Sequence, residues 1–293
     1  MGKAQMINSG AGRAIVNPRA NLRVKPPAAL RSIGSSYRDL SPTREEEVET
    51  ALAERGPIDG GATPAEPAAH RVQIDAEGVR LSGDLVLPCC AHGVVVFAHG
   101  AGSNRLSPRN RPVALALNRA GIGTLRFDLL SPEEALDRAN IFDIPLLKQR
   151  LLAATGWLAA QARTRDLPLG YFGARTGAAA ALLAAAELGA RVSAVVSRGG
   201  RPDLVLPALE QVTAPTLLIV GGYDWQVLEL NREAQEYLRC PNRLSVVPQA
   251  THLFEEPGAL EEVARLSVDW FAHSMRRPSP ALEDTAKAAA HGR

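Results

Sequence analysis

Aromatic residues are scarce, with Phe, Tyr and Trp making up 4% of the 293 residues. Base-stacking surfaces are built from such side chains, so their scarcity weighs against nucleic acid as a partner. Charge of one sign is also lacking, because 33 Lys and Arg stand against 31 Asp and Glu. A net charge of +2 supplies no field that would gather an anionic polymer or a membrane surface. Long apolar runs are absent. The stretch from Ala178 to Ala186 falls well short of the roughly 18 apolar residues of a membrane-spanning helix. The N-terminus has no apolar core of a secretory signal. Cysteine is limited to Cys89, Cys90 and Cys240, without zinc-type spacing, and adjacent cysteines rarely bridge each other. A reducing cytoplasm is therefore the expected compartment. No metal or cofactor is expected, and the sequence leaves the oligomeric state open.

What is present suits one globular domain, since 46% of the chain is hydrophobic and 22% charged. The expected division is a disordered tail over 1–69, an α/β domain over 70–275 and a disordered C-terminal tail over 276–293. The first 38 residues carry Lys3, Arg13, Arg19, Arg23, Lys25, Arg31 and Arg38, with no acid before Asp39. Their charge resembles an organelle transit peptide, but Pro, Gly and Asn interrupt any amphipathic helix, and a basic tail is the preferred reading. An acidic run from Arg44 to Glu54 could form a short helix capped by Ser41 or Thr43.

Within the domain, Val72–Asp75 and Val79–Leu87 alternate apolar and polar residues around Glu77-Gly78, which predicts an antiparallel hairpin. Gly93–Ala98 is a continuous apolar run, as in a strand buried on both faces. Strands and helices then alternate. Strands are predicted at 122–127, 167–172, 192–197, 216–220 and 244–247. Helices are predicted at 112–120, 143–162, 176–188, 204–211, 229–238 and 259–273. Such alternation implies βαβ units and a mostly parallel sheet with helices on both faces. Functional groups should collect on loops at the carboxyl ends of the strands.

Those loops carry the chemistry-bearing residues. Gly173-Ala-Arg-Thr-Gly177, between an apolar strand and an Ala-rich helix, has the glycine spacing of the G-x-S-x-G strand-to-helix elbow. Val220-Gly-Gly-Tyr-Asp224 puts an acid after an apolar strand, and His252 follows the last strand. Elbow, acid and histidine occur in the chain order of an α/β-hydrolase triad. With His99-Gly-Ala-Gly-Ser103, these motifs resemble the dienelactone-hydrolase-like group of α/β-hydrolases over about Arg71 to Ser274. The resemblance implies that His252 is the general base, that Asp224 orients it, and that the backbone N–H groups of Ala101 and Thr176 form an oxyanion hole. It also implies a small-molecule ester or lactone substrate.

The sequence departs from that pattern at Arg175, where the family has serine. A guanidinium stays protonated and has no lone pair, so serine-type attack from this position is excluded. Arg175 could pair with Asp224 and deprive His252 of its partner. It could instead make the pocket a receptor for a small carboxylate or phosphate anion. A substitute nucleophile would have to be Thr176, whose amide rather than hydroxyl is expected to face the site, or Ser103 or Ser197, neither with a motif behind it. His99 and its glycines are read as shapers of their turn. Asp224 could alternatively cap the following helix. Glu255 and Glu256 are read as charge at a helix N-terminus rather than as metal ligands. Only 18 residues separate Ser197 from Thr216, too few for a lid domain. Arg198 and Arg201 should rim the open pocket. Three functions follow: an ester or lactone hydrolase of weakened or lost activity, a non-catalytic binder of a small anionic ligand, or a scaffold whose basic tail recruits a partner while the domain only folds.

Overall fold

The computed structural model describes residues 68–100 and 102–275. The expected tails therefore lie almost entirely outside the described residues, as does the helix expected between Arg44 and Glu54.

Glu77 and Gly78 both take positive φ, 57° and 88°, and turn β1 (His70–Ala76) back along β2 (Val79–Val86). Left-handed conformation at both central residues is what a two-residue hairpin with right-handed twist requires. The other strands are β3 (Val94–Ala98), β4 (Gly123–Phe127), β5 (Leu169–Ala174), β6 (Val192–Arg198), β7 (Thr216–Gly221) and β8 (Asn242–Val247). They form an eight-stranded sheet in the order β1-β2-β4-β3-β5-β6-β7-β8. Only the pairings made by β2 are antiparallel. The helices are α1 (Asn110–Arg119), α2 (Arg138–Ile141), α3 (Ile144–Ala160), α4 (Thr176–Leu188), α5 (Leu206–Leu209), α6 (Trp225–Tyr237) and α7 (Ala259–Ser274).

The continuous apolar run of β3 is explained by burial on both faces. Val94 and Ala98 face the layer of α3 and α4, where Leu147, Leu151, Ala180 and Ala184 are buried. Val95 and Phe97 face the opposite layer, with Val113 and Leu117 of α1 and Val263 and Phe271 of α7. Each such side chain taken out of water contributes roughly 1.5–3 kcal/mol before entropy is counted. Alanine along α4 lets that helix sit close to the sheet: Ala179, Ala180, Ala181, Ala184 and Ala185 are fully buried.

The segment between β4 and α3, for which the pattern predicted no element, contains a 3-10 turn at Glu134–Leu136 and α2. Buried Arg150 of α3 holds it, its Nη2 donating to Glu134 at 2.6 Å and its Nη1 to the carbonyl of Ala76 at 2.5 Å. Helix α6 starts four residues earlier than the predicted Glu229, directly after Asp224. Between β6 and β7 the chain makes only a 3-10 turn at Pro202–Val205 and the single turn of α5, and no large lid is inserted there.

Candidate functional site

β5 passes into α4 through a single residue, Arg175, at φ 52° and ψ −123°. A side chain held there is strained, by about 1–3 kcal/mol, so the surroundings must enforce it. They do so through the two flanking glycines. A Cβ on Gly173 would run into the backbone of Ala178, and one on Gly177 would collide with the carbonyl oxygens of Ala98 and His99 at the end of β3. The turn is thus clamped between its own helix and the neighbouring strand, with Arg175 half-buried at its apex. Thr176 opens α4 and is buried, its Oγ1 without a hydrogen-bond partner. Ala101, the other residue expected to supply an amide, lies outside the described residues.

Asp224 and His252, 28 positions apart in sequence, meet across the ends of β7 and β8. His252 Nδ1 lies 2.6 Å from Asp224 Oδ2. In the neutral ring Nδ1–H donates to that carboxylate and Nε2 keeps its lone pair. Nε2 is itself buried and has no partner. Asp224 occupies the N-cap position of α6 but makes no side-chain cap there, so its carboxylate serves the histidine and not the helix. The loss of His252's partner to Arg175, one of the expected consequences, is not what the structure has. Tyr223 and Trp225, on either side of Asp224, are 56% and 70% exposed.

The segment after β6 ties the two halves of this rim together. The N–H of Arg201 donates to the carbonyl of Arg175 at 3.1 Å, and the N–H of Gly199 to that of Ile219 at 2.8 Å. Asn231 of α6 donates to the carbonyl of Gly200 at 3.0 Å. Gly199 lies against the His252 loop. Here the expectation of two rim arginines needs correction. Arg201 is engaged in a fork with Asp203, two bonds of 2.8 Å each. Arg198 sits at that rim but is not exposed on it: it is 8% exposed, with Phe254 of the loop after β8 packed against it. Its guanidinium carbon sits 5.9 Å from the centroid of the Phe254 ring. Its Nη1 has no hydrogen-bond partner. Burial, helped by the charges of Arg109 and Arg175, lowers its pKa to about 9. Arg198 is the site residue that sequence reasoning misplaced.

His99 behaves as the turn shaper expected. Its Nε2 accepts from the N–H of Leu129 at 3.0 Å, which puts the ring proton on Nδ1, 3.3 Å from the carbonyl of Gly100. Burial holds its pKa below the usual value for imidazole. Arg105 fastens the same loop to the end of β4, its N–H and Nη1 donating to the two oxygens of Asp128 at 2.8 and 2.6 Å. Of the alternative nucleophiles, Ser197 is fully buried. Glu255 lies 3.7 Å from Arg109. Among the described residues no group of three or more His, Cys, Asp and Glu side chains is placed to hold a metal ion, and no helix is long and apolar enough to cross a membrane.

No protein-family profile matches the sequence. Two Mycobacterium tuberculosis proteins, whose names class them provisionally as phosphoribosyl transferases, are 53% identical over 261 residues. The match takes in 87% of this chain but 59% of their length, so the chain spans little more than half of those relatives. An esterase of Pyrococcus furiosus shares the fold at 20% identity and a TM-score of 0.59, over 75% of this chain and 97% of its own. A dienelactone hydrolase of Anabaena variabilis is 53% identical, and the match covers 72% of this chain and the whole of that one with a TM-score of 0.70. With identity of that order over a complete hydrolase chain, this chain belongs to the dienelactone-hydrolase-like α/β-hydrolases.

Proposed function

We propose that the domain has the site of a small-molecule carboxylic ester or lactone hydrolase in which covalent catalysis is weak or lost. The observation that carries this reading is the 2.6 Å bond between His252 and Asp224, with Nε2 buried and unpartnered. That is the arrangement of a general base waiting for a proton donor. Arg175, at the strained apex where the family's nucleophile stands, has no lone pair to attack a carbonyl. In this reading the N–H groups of Ala101 and Thr176 face the developing oxyanion, and His252 can still draw a proton from water. Without a covalent intermediate, turnover of even a reactive ester should be slow.

A second reading, a binder of a small anionic ligand, is favoured by the buried guanidinium of Arg198. The transferase named for the mycobacterial relatives belongs to longer proteins, and the matched part is assigned hydrolase-type chemistry here. Hydrolysis of a panel of short-chain aryl esters separates the two readings. The unmodified protein is compared with Arg175→Ser, and with Arg175→Ser combined with His252→Ala. Activity confined to Arg175→Ser supports a disabled hydrolase. An unmodified protein that turns over esters and loses that activity with His252→Ala would mean that another nucleophile operates.

A further inference from the structure

We propose that the carboxyl-terminal rim of the sheet binds a phosphate group, as the free anion or the end of a phosphomonoester, with Arg198 as its buried anchor. This rests on the anion-binding reading above and gives it a ligand class.

Arg198 is the starting observation. A guanidinium that is more than nine-tenths buried, with Nη1 unpartnered, is a costly arrangement unless an anion completes it. The aromatic face of Phe254 accounts for only one side of the group. The neighbouring charges make the cost larger, since Arg109 and Arg175 act on Arg198 from two other segments. Arg109 has Glu255 at 3.7 Å, but that carboxylate is largely exposed and screened. The turn at Arg175 also opens the 13-residue helix α4 without a side-chain cap, which directs first-turn amides and the positive end of the helix toward the same rim. The backbone from Arg198 to Arg201 contacts both the Arg175 turn and the His252 loop, so these groups belong to one locus.

Phosphate fits this set better than a carboxylate does. Its three terminal oxygens and up to two charges can answer cations that arrive from three directions, and an arginine fork matches its oxygens. His252 supplies the second criterion. In the neutral ring, with Nδ1–H given to Asp224, the buried Nε2 is an acceptor that a donor on the ligand satisfies. A monoprotonated phosphate offers both the negative oxygens for Arg198 and an O–H for Nε2. A carboxylate or a sulfate near neutral pH offers no such proton.

The test is calorimetric titration of the full chain near pH 6.5 with inorganic phosphate, phenyl phosphate, sulfate and acetate. Phosphate or phenyl phosphate should bind with one site per chain, at least tenfold tighter than sulfate or acetate. Phenyl phosphate stronger than phosphate identifies a phosphomonoester as the ligand, and the reverse order identifies the free anion. Arg198→Lys should weaken phosphate at least tenfold. His252→Ala, at a half-exposed position, should erase the preference over sulfate even if the Arg198 variant fails to fold. Equal binding of sulfate, no binding of either phosphate, or phosphate binding indifferent to both substitutions would overturn the proposal. The hydrolase reading fails separately: an Arg175→Ser protein that gains esterase activity while the parent ignores phosphate removes this inference and leaves that one standing.

Discussion

Arg198 and Phe254 are stacked, guanidinium carbon to ring centroid 5.9 Å, although they come from different strand ends and Phe254 must hold a left-handed φ of 58° to be there. The cation is stabilised by the ring yet buried among other cations, so stability and binding should pull in opposite directions at this position. Arg198→Met keeps the length and removes the charge. It should raise the stability of the ligand-free protein by roughly 1–2 kcal/mol, visible as a higher melting temperature, while abolishing any thermal shift by phosphate. A lower melting temperature in the variant would mean that the charge is compensated in the native protein.

The Asp224–His252 pair makes a graded prediction on the Arg175→Ser background. If serine at this turn regains nucleophilic function, Asp224→Asn should leave the fold intact and lower kcat by about 10⁴, because the amide cannot hold the ring in the useful tautomer. His252→Ala should cost at least as much. Loss of activity only in the histidine variant would indicate that Asp224 has no orienting role.

Gly177 is predicted to be intolerant of the smallest substitution. Gly177→Ala puts a methyl group against the carbonyl oxygens of Ala98, the last residue of a central strand, and of His99 just after it, backbone atoms that cannot readily yield. The expected loss is about 1–3 kcal/mol, measured by denaturant unfolding. The same change at Gly156, where a Cβ meets nothing within 4 Å, is the control and should be neutral or stabilising.

His99 should contribute to acid sensitivity. Its folded pKa lies below that of the unfolded chain, so at falling pH the unfolded state takes up the proton first. The stability it contributes is present above about pH 6.5 and is lost as the pH drops from there toward its folded pKa. Melting temperatures between pH 7.5 and 5 should fall, and less steeply in His99→Gln, whose side chain can still accept from the N–H of Leu129. Equal slopes in the two proteins would assign the sensitivity elsewhere.

Much of this architecture was legible because the central strands are apolar on both faces and their ends carry glycine-marked turns. The helix read as Thr176 to Leu188 is α4 from end to end, since a strained turn and a left-handed Gly189 bound a run of strong helix formers. The convergence of Asp224 and His252 was implied by the family resemblance, which the chain order of elbow, acid and histidine helped to carry. The exceptions have physical reasons. Helix α2 has four residues, too few to show a period. Helix α6 opens with exposed Trp225, which hid its first turn from an amphipathic pattern. Arg198 was read as a surface residue because nothing local to Ser197-Arg-Gly-Gly distinguishes an exposed strand end from one enclosed by its neighbours. Phe254, from the loop after β8 and far away in sequence, packs against its guanidinium.

The exposed indole beside Asp224 has a practical consequence. Trp225 is one of three tryptophans, and Trp270 is held elsewhere, its Nε1–H donating to the carbonyl of Pro215 at 3.2 Å. An indole 70% open to solvent and covalently adjacent to the acid of the site emits at long wavelength and shifts when its surroundings dry. A ligand that covers this indole should shift its emission to shorter wavelength, readable without label or substrate, and a Trp225→Phe variant supplies the blank.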